Sequence, residues 1–112
     1  MNEQPDHAKE MDELLHALWK NNYPILLERL KLIRDARDKL ASGLLDDETR
    51  KDGEEAAHKL AGILGTFGLP RGSVLASKIE RLLAGDSSSC AQRTAELGSW
   101  FEELEAVIAS RS

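Results

Sequence analysis

His58 is the side chain whose type and setting point most directly to chemistry. On a helix that advances about 100° per residue, Leu60 and Phe67 fall roughly 180–200° from His58, with Ala56, Ala57, Ile63 and Leu64 flanking them. The imidazole therefore points away from the apolar stripe. On its own side lie Gly62, at about 40°, and Gly65, at about −20° by the same geometry. Each glycine inside a helix gives up roughly 1 kcal/mol relative to alanine. Two of them beside an exposed imidazole leave a clearing where a partner's backbone or a tetrahedral group can approach the ring; close helix packing is the other reading. Helical side chains lean toward the amino terminus, so Glu54 and Glu55 are the carboxylates expected to reach His58. A carboxylate accepting from one ring nitrogen orients the imidazole and leaves the other nitrogen as a nucleophile. Lys59 can lie alongside an added negative charge. The set suits a nucleophilic histidine better than a metal site, because the one Glu-x-x-His pair, Glu55 with His58, has no second copy to face it.

The remaining candidates read as structural. His7 and His16 have no partner at ligand spacing beyond Asp12 and are expected to be solvated or half-buried. Cys90 is the single cysteine of the chain, which rules out an internal disulfide and a multi-cysteine zinc site and suggests a small buried apolar side chain. Trp19 and Trp100 are expected in the core or at the edge of a bundle.

Positioning these residues falls to an all-α chain. The 112 residues carry 15 Lys+Arg against 20 Asp+Glu, a net charge of −5, with 41% hydrophobic residues. This suits one domain spanning 1–112 and offers no phosphate-neutralising footprint, so nucleic acid is not an expected partner. No apolar run approaches the roughly 20 residues that span a bilayer, and the polar start lacks a signal-peptide core, so a cytoplasmic protein without membrane contact is expected. Helical spacing predicts a first helix over about 6–20 with Met11, Leu14, Leu15 and Leu18 on one stripe. Asn21, Asn22 and Pro24 suggest a break before a second helix over about 24–42, a single kinked helix being the alternative. That second helix carries Leu26, Leu30, Ile33, Arg37 and Leu40, widened by Leu27 and Ala36, and Gly43 stops it. The histidine helix is expected over about 46–67, opened by Asp46 or Asp47 and closed by Gly68-Leu69-Pro70. A fourth helix, about 71–84, presents Leu75, Ala76, Ile79, Leu82 and Leu83. After a polar turn over 86–89, a fifth runs over about 89–109 with Cys90, Thr94, Leu97, Phe101, Leu104 and Ile108 in seam. The economical architecture is an antiparallel four-helix bundle, with the short N-terminal helix covering one end.

The run His58-Lys59-Leu60-Ala61-Gly62-Ile63-Leu64-Gly65-Thr66-Phe67-Gly68-Leu69 resembles the active-site helix of histidine-containing phosphotransfer (HPt) domains of bacterial phosphorelays. In that family a hydrophobic residue follows the phosphorylated histidine at +2, and glycines follow at +4, +7 and often +10; Leu60, Gly62, Gly65 and Gly68 match. The resemblance implies a phosphoryl carrier, with His58 exchanging a phosphoryl group with the aspartate of response-regulator receiver domains fed by a hybrid sensor histidine kinase. It implies a monomeric carrier rather than an autonomous kinase, with Mg²⁺ supplied by the receiver and no cofactor of its own. The chain carries no GxGxxG or P-loop pattern to hold ATP. By the same resemblance Gly62, Gly65 and Thr66 belong to the docking surface, and Lys31 and Arg34 of the preceding helix flank it. Two departures bear on the rate of transfer. Ala61 stands at +3 where the family usually has Lys, with Lys59 as the available substitute, and Ile63 stands at +5 where a small residue is common. A bundle that keeps the fold as an interaction module, with weak transfer, is the alternative these departures leave open.

Overall fold

A computed structural model describes residues 4–85 and 90–111, of which 4–8 and Cys90 are described by backbone alone. The polar turn over 86–89, the start of the last helix at Ser89 and the side chains of His7 and Cys90 lie outside the described residues. Four helices make up the fold: α1 (Gln4–Ala41), α2 (Asp47–Thr66), α3 (Pro70–Ala84) and α4 (Cys90–Arg111). They run alternately up and down; α1 touches α2 and α4, and α3 touches α2 and α4. The axis of the bundle is filled by Leu26, Leu30 and Ile33 of α1, Leu60 and Leu64 of α2, Leu75 and Ile79 of α3, and Leu97, Phe101 and Leu104 of α4, all buried. No described helix is long and apolar enough to cross a membrane.

The expected short N-terminal helix is instead fused to the next one. α1 runs for 38 residues with Pro24 inside it. Proline removes one backbone hydrogen bond, here the one to the carbonyl of Lys20, and a mid-helix proline costs about 3 kcal/mol. Lys20 and Pro24 both lie on the exposed side of the helix, where water can satisfy that carbonyl. Immediately around them Trp19 is 1% exposed and Leu26 fully buried. Trp19 stands edge-on to Phe67 at 5.2 Å, at the end of α2. Packing on both sides of the proline thus holds the helix continuous. The polar Asn22 expected to weaken it donates from Nδ2 to the Leu18 carbonyl at 2.8 Å.

The fusion corrects a second expectation. An α1 of this length overshoots the bundle, so its first half projects from the end rather than covering it. Met11 and Leu14 are 55% exposed and Leu18 is 41% exposed. Leu27, expected to widen the buried stripe, also faces outward, whereas Ala36 is buried.

Both ends of α2 are set by local chemistry. Gly43 and Gly68 are the described residues with positive φ, at 74° and 72°. At Gly68 the left-handed turn lets its N–H donate to the Gly65 carbonyl and the N–H of Leu69 donate to the Leu64 carbonyl, at 3.2 and 2.9 Å, closing α2 with a Schellman motif. Pro70 then opens α3, where its missing N–H costs nothing. At the other end Asp46 precedes the first turn, but its carboxylate turns to Lys39 Nζ at 3.5 Å and makes no capping bond.

Candidate functional site

The face of α2 opposite the core looks into the groove with α3. Ala56, Ala57, Leu60 and Leu64 are buried and fix the rotation of the helix. Gly53 allows close approach: a Cβ there would lie 3.0 Å from Ala36 Cβ and 3.2 Å from Leu83 Cδ1. About two turns further on, Ser73 of α3 donates to the Ala61 carbonyl at 2.8 Å. Held in this way, α2 turns His58 outward with 72% of its side chain exposed. The outward orientation follows from the position of His58 opposite Leu60 and Phe67.

The group that meets the imidazole is Glu80 of α3. Its Oε2 lies 2.9 Å from Nδ1 of His58. An ionised carboxylate can only accept, so in the neutral imidazole this contact selects the tautomer with the proton on Nδ1 and the lone pair on the exposed Nε2. Glu80, at 29% exposure, is far better sheltered than the ring it holds. This corrects the expectation for Glu54 and Glu55. Glu54 accepts from Arg50 at 3.1 Å and Glu55 accepts from Lys59 at 3.0 Å, so both carboxylates are engaged along their own helix. They still share a hollow of about 440 Å³ with Lys51, His58 and Glu80. The Lys59 hydrogen bond, reinforced by its charge, holds the Glu55 carboxyl below its ordinary value of 4.5. The Lys59 ammonium is thereby drawn toward Glu55, one turn toward the amino terminus.

The two glycines beside His58 differ in what surrounds them. A Cβ on Gly62 would meet nothing within 4 Å, and one on Gly65 would make only an ordinary 3.7 Å contact with Ser73 Oγ. Close packing, which explains Gly53, explains neither; at Gly62 the missing side chain leaves open surface. Thr66 lies on the same exposed face and donates from Oγ1 to the Gly62 carbonyl at 3.0 Å. Lys31 is exposed and pairs loosely with Asp35 at 3.7 Å. Arg34 is placed elsewhere: it donates to Glu105 of α4 at 2.8 Å, and its guanidinium stands 5.6 Å from the centre of the Phe101 ring. The α1 residue whose charge reaches the site is Arg29, which helps to lower the Glu55 carboxyl.

Glu80 was missed from sequence because it lies 22 residues from His58 and no local rule pairs them. The available signal was compositional, since it is the single acidic residue of α3. Among the described residues no group of three or more His, Cys, Asp or Glu side chains is placed to hold a metal ion. A family model described as Hpt domain matches residues 2–109. No curated protein and no solved structure matches the chain.

Proposed function

Because the chain belongs to the Hpt domain family, whose members carry phosphoryl groups in two-component signalling, we propose that His58 is its phosphoryl acceptor and that its direct partners are receiver domains. The observation that carries this reading is the 2.9 Å contact of Nδ1 with Glu80 on a ring that is 72% exposed. The Nε2 lone pair attacks the phosphorus of a receiver's aspartyl phosphate. The N–P bond forms as the P–O bond to the aspartate breaks, and the aspartate leaves as a carboxylate. Nδ1 keeps its proton, and Glu80 offsets the positive charge that the ring acquires. Donation to a second receiver is the same step reversed. A loose transition state asks mainly for in-line approach and charge neutralisation, so a rigidly mounted imidazole with open surface at Gly62 is sufficient equipment. Mg²⁺ belongs to the receiver in this scheme, and a hybrid sensor histidine kinase supplies the phosphoryl group upstream.

Incubation with a phosphorylated receiver tests the reading. The wild-type chain should take up label, and His58→Gln should take up none while keeping its helical circular dichroism; label retained by His58→Gln overturns the assignment. Ala61 and the tie between Lys59 and Glu55 favour a second reading, an interaction module with weak transfer. If that holds, Ala61→Lys should raise the transfer rate, and a panel of phosphorylated receivers should find no fast donor for the wild type.

A further inference from the structure

The overhanging half of α1 carries an apolar stripe that nothing in the bundle covers. Met11 (55%), Leu14 (55%), Leu18 (41%) and Ile25 (40%) are all exposed. On a helical wheel with Leu18 at zero they fall within about 40° of it, and Asn22 completes the line. Lys9, Asp12, Glu13 and Lys20 stand at least about 120° away and Glu10 flanks the amino-terminal end at about 80°, so no charge lies on the line itself over roughly 21 Å. Phe67 of α2 and Arg111 of α4 pack on the indole ring of Trp19, and Leu15 one turn before it is half-buried, whereas the stripe itself stays exposed.

From these features we infer that two copies of the chain pair through this segment, in an antiparallel two-fold arrangement centred on Leu18. Such an axis sets Leu18 against Leu18, Met11 against Ile25 and Leu14 against Asn22, so each position on the seam faces an uncharged counterpart. Parallel pairing would crowd both bundles at one end of the seam, whereas the antiparallel axis carries them to opposite ends and opposes the helix dipoles. The charge pattern disfavours a membrane surface. Residues 9–20 carry Lys9 and Lys20 against Glu10, Asp12 and Glu13, a net negative segment that anionic lipid repels. Reach disfavours the receiver. Interpolating between the contacts of Ala36 with Gly53 and Trp19 with Phe67 sets His58 level with Leu30. Leu18, Leu14 and Met11 are then about 18, 24 and 28 Å further along α1, beyond the roughly 17 Å radius of a domain of about 100 residues seated on the histidine, and only Ile25, at about 8 Å, falls within it. A seam of so few side chains makes a weak, concentration-dependent dimer. Such a dimer is the alternative to the monomer expected from the sequence.

Analytical ultracentrifugation of the full chain from about 10 µM to about 1 mM, the range that brackets weak dimers, should show mass rising toward the dimer. Leu14→Glu/Leu18→Glu should weaken association at least about tenfold, without loss of helicity, since both residues are exposed. In a Cys90→Ser background, Leu18→Cys should form a disulfide-linked dimer on mild oxidation and Leu14→Cys should not. A wild type that stays monomeric throughout, or a dimer indifferent to the double substitution, overturns the inference. Equal cross-linking at 14 and 18 does the same, as does a monomer that co-sediments with phosphatidylglycerol vesicles through this stripe. The double variant should still take up label at His58, so this inference and the phosphocarrier reading fail separately.

Discussion

Replacing Glu80 by alanine tests whether the tertiary contact to His58 sets the rate of phosphoryl transfer. A hydrogen bond to a charged group contributes about 1.5–3 kcal/mol when sheltered. Here the carboxylate is 29% exposed but the ring is 72% exposed, so solvent screening brings the contact down to about 1 kcal/mol. If that energy is expressed in the transition state, where the ring acquires positive charge, the rate should fall about fivefold. Glu80→Gln should fall between the wild type and alanine, because an amide oxygen can still accept the Nδ1 proton but brings no charge. Neither variant should unfold the bundle, since Ile79 and Leu83 anchor this part of α3 in the core. The assay is rapid-quench measurement of phosphoryl transfer from a labelled receiver under single-turnover conditions, with thermal melts as the fold control. An unchanged rate for Glu80→Ala would refute the idea that Nδ1 must be held. A loss as complete as that of His58→Gln would refute it from the other side, because an orienting bond of this size cannot abolish transfer.

Four further outcomes follow from the packing and charge pattern. Gly62→Ala should raise stability by about 0.5–1 kcal/mol, since its Cβ meets nothing, yet slow transfer by filling the docking clearing. Gly53→Ala should lower stability, by about 1–3 kcal/mol for the overpacking against Ala36 and Leu83, as read by chemical denaturation. Pro24→Ala should stabilise the chain by up to about 3 kcal/mol, because α1 already runs through the proline; a lower melting temperature would show that the ring is needed there. Arg71 clamps Glu103 of α4 through two bonds, at 2.5 and 2.9 Å, and holds its carboxyl below the ordinary 4.5. A carboxyl lowered in the folded state adds stability at pH above the unfolded value and loses it as pH falls through the folded one. Melting temperatures measured downward from neutral pH should therefore fall more steeply below about 4.5 for the wild type than for Glu103→Gln.

Local rules accounted for the elements that local forces decide. Gly68 closes α2 because its backbone must turn left-handed, and Pro70 opens α3 because the first turn does not need its amide. His58 faces solvent because the apolar residues of the same helix lie opposite it. These readings survive folding because each depends on residues within one or two turns. The boundary at Pro24 did not survive, since a propensity of a few kcal/mol was set against the burial of Trp19 and Leu26 on either side. The stripe of Met11, Leu14 and Leu18 was legible as amphipathic, but periodicity says only that a face is apolar. Which surface covers that face depends on how far α1 overshoots its neighbours.

At the site itself, the sequence alone determined which imidazole is presented and that Gly62 and Gly65 lie on its side of the helix. Both are properties of one helix and its 3.6-residue period. The partner of that imidazole was decided only by the antiparallel packing of α3 on α2, which carries Glu80 to within 2.9 Å of Nδ1. Glu54 and Glu55 stood nearer in sequence but were already engaged by Arg50 and Lys59 at i,i+4 spacing. A carboxylate goes where its charge is best met, and that choice depends on every cation and donor within reach in space. The sequence could therefore single out the exposed imidazole, while the residue that holds it emerged only when two helices met.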